Sequence, residues 1–187
     1  MSDKLYTVEE FLTMTANIEN YQECINGHVF DIESFSLKQH KIRSGICTTI
    51  RKYIAHHSSE SGMLSFCGVI FNQTTLALPA VWVVCDSSRL SPEEEYLTSA
   101  PDWIIEILSE DNPKSRQHNL IAKQALYKNN HVREYWIVDP KNEKTLVYFF
   151  EKNDLPDIYT FDTAVPVEIY DRKLSINISE LLKGNLT

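Results

Sequence analysis

The chain has 187 residues, 43% of them hydrophobic and 24% charged, with a formal net charge of −8. This is an ordinary soluble composition, and the length predicts a single domain over 1–187. The acidic balance excludes a broadly basic nucleic-acid coat while leaving room for a small cationic patch over one site. With five Gly and seven Pro there is no low-complexity linker, and no internal repeat is found. Cys24, Cys47, Cys67 and Cys85 form no C-x-x-C pair and lie in apolar runs. They read as buried thiols of a reducing, cytoplasmic protein rather than a zinc knuckle or disulfides. The segment MSDKLYTVEEF lacks the basic-then-apolar layout of a signal peptide, and no apolar run reaches the length of a membrane span.

Thr7-Val8-Glu9-Glu10 fits a capping box, so a short helix starts here. Asn26-Gly27 separates the extended runs Gln22-Ile25 and His28-Ile32, a hairpin signal. Ile42, Ile46, Ile50, Tyr53 and Ile54 mark one apolar stripe and predict a helix over 37–57. Three strand-like runs follow: 63–72, 76–86 and 102–108. The last two are apolar almost throughout, as central strands covered on both faces are. Residues 114–130 read as a helix. Runs 134–139 and 144–151 read as strands joined by the Asp139-Pro140-Lys141-Asn142 turn. The tail adds two edge strands and a helical turn at 178–182. The order predicts a mixed α/β fold, with one twisted β-sheet flanked by α-helices.

Two segments carry a resemblance. Ala100-Pro101-Asp102-Trp103-Ile104-Ile105-Glu106-Ile107-Leu108-Ser109 and Val132-Arg133-Glu134-Tyr135-Trp136-Ile137-Val138-Asp139-Pro140 resemble the signatures of the Uma2-like bacterial putative restriction endonucleases, within the PD-(D/E)XK nuclease superfamily. Matching segments run from Thr7 to about Leu182. The resemblance implies a restriction-endonuclease-like core and cleavage of DNA with Mg2+ or Mn2+. It also implies a lysine moved from the strand to the following helix, and a homodimer. By position, Glu106 matches the strand glutamate, Lys123 the helical lysine and Tyr127 the tyrosine after it. Glu23 matches the hairpin glutamate, and His40 the histidine opening the long helix. The implied metal donors are Glu106, the Ile107 backbone carbonyl and Glu23.

The departures bear on activity. The family's aspartate after Pro79 is Ala80 here, and Asn119 stands where an aspartate precedes the lysine. The usual Ser-Pro-Ser-Thr reads Ser109-Glu110-Asp111-Asn112, and His131 replaces a glycine at a position that suits a left-handed backbone. Asp102 shares a strand face with Glu106 but lies about 13 Å away at strand rise, too far to serve the same ion. Ala80 reflects either natural drift or a deliberate replacement. The further departures favour drift.

Each candidate has a plain structural alternative: a paired core glutamate for Glu106, a solvated helix lysine for Lys123, surface positions for His40 and Glu23. Tyr135-Trp136-Ile137-Val138 reads as sheet core rather than a base-stacking platform. Two functions stay open at this point. One is a magnesium-dependent endonuclease weakened or silenced by Ala80; the other is a non-catalytic relative that binds DNA or a protein.

Overall fold

The computed structural model describes residues 4–16, 21–57, 60–110, 112–113, 118–152 and 155–184, and the side chains at 118–120 are also outside the description. Helix α1 (Val8–Thr15) begins as its sequence requires. The Thr7 side chain accepts from the Glu10 N–H while the Glu10 carboxylate accepts from the Thr7 N–H. Strands β1 (Gln22–Ile25) and β2 (His28–Asp31) form the expected hairpin, with Asn26 and Gly27 both at positive φ. Helix α2 (Leu37–His57) occupies the span predicted from its apolar stripe.

The next two strand-like runs differ from expectation. Each is two strands in two different sheets. The first splits into β3 (Gly62–Leu64) and β4 (Val69–Asn72), separated by Phe66 in a left-handed conformation at φ 50°. The second splits into β5 (Thr75–Ala77) and β6 (Val81–Val84). Pro79 lies in the gap between them and has no N–H to offer a ladder, so pairing lapses there and the chain crosses from one sheet to the other.

Strand β7 (Trp103–Ile107) is followed by a π-helical turn, His118–Lys123, that runs into α3 (Gln124–Asn129). The predicted helix at 114–130 therefore changes winding part-way, and its residues 114–117 lie outside the described ones. Just past the α3 C-cap Asn130, His131 has a φ of 61° and supplies the left-handed residue that a glycine would give. Strands β8 (Glu134–Asp139) and β9 (Lys144–Phe149) flank the turn in which Asp139 accepts from the Asn142 N–H. Strands β10 (Asp157–Thr160), β11 (Val165–Pro166) and β12 (Ser175–Ile176) and helix α4 (Ile178–Lys183) complete the chain.

Instead of one sheet, the described residues form three. The main sheet has the order β10-β9-β8-β7-β6-β3, antiparallel except for the parallel pair β7–β8. A four-stranded sheet runs β2-β1-β5-β4, and β11-β12 form a ribbon. On one face of the main sheet, Ile42, Ile46 and Ile50 of α2 pack with Val81, Val83, Trp103, Ile105 and Trp136. On the other face, Leu126 and Tyr127 of α3 pack with Trp82, Ile104, Leu108, Tyr135 and Ile137. Every residue of β6, β7 and β8 is buried, as strands covered on both faces must be. The two arrays place the chain's three tryptophans in the sheet core, where each fully buried apolar side chain contributes about 1.5–3 kcal/mol. The four cysteines are free thiols, two buried and two half-buried. No helix among the described residues is long and apolar enough to cross a membrane.

Candidate active site

Side chains alternate along β7, so Trp103, Ile105 and Ile107 face α2 while Ile104, Glu106 and Leu108 face the α3 side. Glu106 is thereby forced into a low-polarity layer, where an ionised carboxylate needs partners. It has two. The Lys123 ammonium donates to Glu106 Oε1 at 2.8 Å, and the Tyr127 hydroxyl donates to the same oxygen at 2.8 Å. Lys123 closes the π-helical turn and Tyr127 lies one ordinary helical turn further on, so both head groups reach the strand from one direction.

A second carboxylate completes the cluster. Glu23 Oε2 lies 2.9 Å from Lys123 Nζ and accepts the Leu78 N–H at 3.2 Å. The latter bond anchors the backbone just before Pro79-Ala80. The Glu23, Glu106 and Lys123 side chains are all at least 94% buried, with relative exposures of 2%, 6% and 4%. Burial pushes the Glu106 carboxyl above its ordinary range, with Lys123 acting against the shift and Glu23 adding to it. Burial also works against the Lys123 ammonium, but Glu106 and then Glu23 outweigh it and hold its pKa above the ordinary lysine value. Burial, reinforced by Glu106, drives the Tyr127 phenol well upward, so it stays a donor.

The cluster opens into a cleft of about 280 Å³ whose lining includes Glu23, Gln39, Ala80, Glu106, Ile107 and Lys123. β6 pairs with β7 from Val81–Ile105 onward, and Ala80, the residue just before β6, lines the cleft together with Glu106. Ala80 is buried, and a methyl group stands where the pattern implied by the resemblance has a carboxylate.

One placement differs from the sequence reading, and one inward residue was missed by it. His40 is exposed and does not line the cleft; its ring lies edge-on to Phe35 and within 3.3 Å of the Arg43 guanidinium. Its neighbour Gln39 takes the inward position, because adjacent helical residues point about 100° apart. Gln39 Nε2 donates to the Leu108 carbonyl at 3.1 Å, and its Oε1 accepts the Ser36 N–H at 2.8 Å. Gln39 was legible in principle, since it heads the Ile42, Ile46, Ile50 stripe. The departure at Asn119 falls on a side chain outside the described ones, as does Asp111.

The family model described as "Uma2: Putative restriction endonuclease" matches residues 8–179. The chain belongs to the Uma2 family. No curated protein matches it. Among solved structures, it is similar to a crystal structure of a putative nuclease belonging to DUF820 from Anabaena variabilis ATCC 29413. The identity is 23%, the TM-score is 0.79, and the match covers 95% of this chain and 98% of that one. At that identity the likeness establishes the fold. The mixed α/β core, with its parallel pair β7–β8, is thus a fold shared with that neighbour.

Against that fold, the donor set of this Uma2 chain is short. Among the described residues no group of three or more His, Cys, Asp or Glu side chains converges as a metal cage. Magnesium requires near-octahedral oxygen ligands at about 2.0–2.1 Å. Glu106 and Glu23 are the carboxylates of the buried cluster, and the Lys123 ammonium is already bonded to both, while Asp31 and Glu33 line the cleft outside that cluster. This arrangement does not fit a resident magnesium ion.

Proposed function

We propose that the chain is a disabled DNA nuclease: it keeps the frame of a phosphodiester-cleaving site and has lost the anchor that held the metal. The supporting observation is Ala80 lining the same cleft as Glu106, where Lys123 bridges the Glu106 and Glu23 carboxylates. In an intact site of this kind, carboxylates from adjacent strands hold Mg2+ or Mn2+, and the ion lowers the pKa of a bound water. A carboxylate at position 80 would complete such a set with Glu106, Glu23 and the Ile107 carbonyl. Without it, Lys123 neutralises part of the negative charge and Tyr127 fixes the Glu106 rotamer. The site then has the means to hold its shape, with its buried carboxylate pair already engaged by Lys123. A retained capacity to bind DNA is the function this reading leaves.

A plasmid-nicking assay with magnesium or manganese tests the reading. The expected result is no cleavage by the present chain and cleavage by Ala80→Asp. Robust cleavage by the present chain overturns the loss of activity. Failure of both proteins removes the latent-nuclease reading.

A further inference from the structure

Helix α2 contrasts in charge with the acidic chain that carries it. Its 21 residues contain Lys38, Lys41, Arg43, Arg51 and Lys52, and none of the protein's 26 Asp and Glu residues. Lys38 is engaged, donating to the Pro140 carbonyl at 2.7 Å and lying 3.8 Å from Glu110. Among the described residues Lys41, Arg51 and Lys52 form no ion pair. Arg51 and Lys52 are exposed, and Ser44 and Thr48 are exposed on the same helix. The outer surface of α2 therefore offers cations and hydroxyls with no carboxylate among them.

An aromatic stack lies beside the first half of this helix. The Arg43 guanidinium sits over the Phe66 ring at 4.1 Å, and the Tyr21 ring stacks on Phe66 at 5.8 Å with planes only 13° apart. Phe35 packs against Phe66 at 5.1 Å. Phe35 and Phe66 also line the cleft, so the stack forms its rim. Tyr21, at the end of the stack, is 60% exposed. A solvated helix face accounts for the charges alone, and a local cluster accounts for the rings alone. Neither accounts for an acid-free helix joined through Arg43 to an open aromatic face at the mouth of a nuclease-family cleft.

We infer that the outer face of α2 and the Tyr21–Phe66 stack form a binding surface for a single-stranded DNA segment, with an unpaired base on the rings and phosphates along the helix. The occupant rests on the reading of the chain as a DNA-directed protein; its strandedness follows from the rings. Bases in a duplex are already stacked on their neighbours, and only an unpaired base presents a face to Tyr21. The cleft lining explains why the phosphates stay outside. It carries Glu23, Asp31, Glu33 and Glu106 against one ammonium, Lys123, so a phosphate driven inward meets excess negative charge.

The test is fluorescence anisotropy of the whole chain with a labelled oligothymidine and with a duplex of equal length, over a salt series. The expected result is tighter binding of the single strand, with affinity falling as salt rises. Tyr21→Ala should weaken single-strand binding at least about fivefold, the loss of one stacked base. Arg51→Ala with Lys52→Ala should lower the salt slope by about 1.4, at about 0.7 for each of two lost phosphate contacts. Circular dichroism melts would check that these surface variants stay folded. Equal or tighter duplex binding, absence of oligonucleotide binding, or a slope untouched by the double variant overturns the proposal. These readouts need no cleavage, so failure of Ala80→Asp to nick DNA leaves them standing, and their failure leaves the nicking result standing.

Discussion

Lys123 Nζ lies 2.8 Å from Glu106 Oε1, across 17 residues of chain. The contact joins the central strand of the main sheet to the helix that follows it. Glu23 brings in the four-stranded sheet at the same nitrogen. The cluster sets two buried carboxyl groups against one ammonium, and its members depend on one another.

Lys123→Met should destabilise the fold by about 3–5 kcal/mol at neutral pH, because it strands two buried carboxylates. The urea unfolding midpoint measures this. Part of the loss should return on acidification, when protonation removes the uncompensated charge. A change below about 1 kcal/mol would mean that the pairing does little more than a surface ion pair.

Tyr127→Phe removes a 2.8 Å hydrogen bond to Glu106 and keeps the ring among Phe71 and Tyr135. The expected cost is about 2 kcal/mol, the range for a hydrogen bond to a charged group. Since the ring packing is retained, a much larger loss in chemical denaturation would contradict the assignment to the hydroxyl.

Ala80→Asp adds a carboxylate at a buried position that lines the same cleft as Glu106 and Glu23. Metal-free protein should lose roughly 2 kcal/mol, and millimolar manganese should restore it by binding only the folded state. Thermal melts with and without manganese, for both proteins, separate the effects. An unchanged melting temperature in manganese would show that the added carboxylate completes no site.

Glu134 supplies a pH dependence away from the cleft. It accepts from the Trp136 indole at 2.6 Å and from the Ile169 N–H at 2.8 Å. Burial nevertheless raises its pKa from 4.5 to about 7, against the opposing pull of those bonds. A carboxyl that is more basic when folded stabilises most below pH 4.5, and that stability drains away as pH rises through about 7. The shift corresponds to about 3 kcal/mol. Glu134→Gln should flatten the fall in stability between pH 5 and pH 8, whatever it does to the absolute value. An unaltered slope in denaturant titrations across that range would assign the pH dependence to other groups.

The features legible in sequence are those written in short stretches. The Thr7 box and the Asn26-Gly27 turn each depend on a few consecutive residues, and α2 on one apolar period. The meeting of Glu106 with Lys123 was expected from the resemblance and their separation along the chain. The division of the sheets was not legible. It depends on Val69 pairing with Ala77 while Met63 pairs with Val83, and those choices are made by distant partners. Pro79 carried a local hint of the break that the surrounding apolar run obscured. The π-helical turn before Lys123 leaves no signature in the helical pattern of 114–130. Glutamine is so common on surfaces that Gln39 gave little sign of its inward role.

The three-way joint at Lys123 has a consequence for assembly in the cell. Its cation arrives covalently with the polypeptide, so the two sheets can latch during folding without waiting for an ion from solution. The architecture should then be indifferent to chelators and to magnesium starvation, and should persist through swings in ion supply.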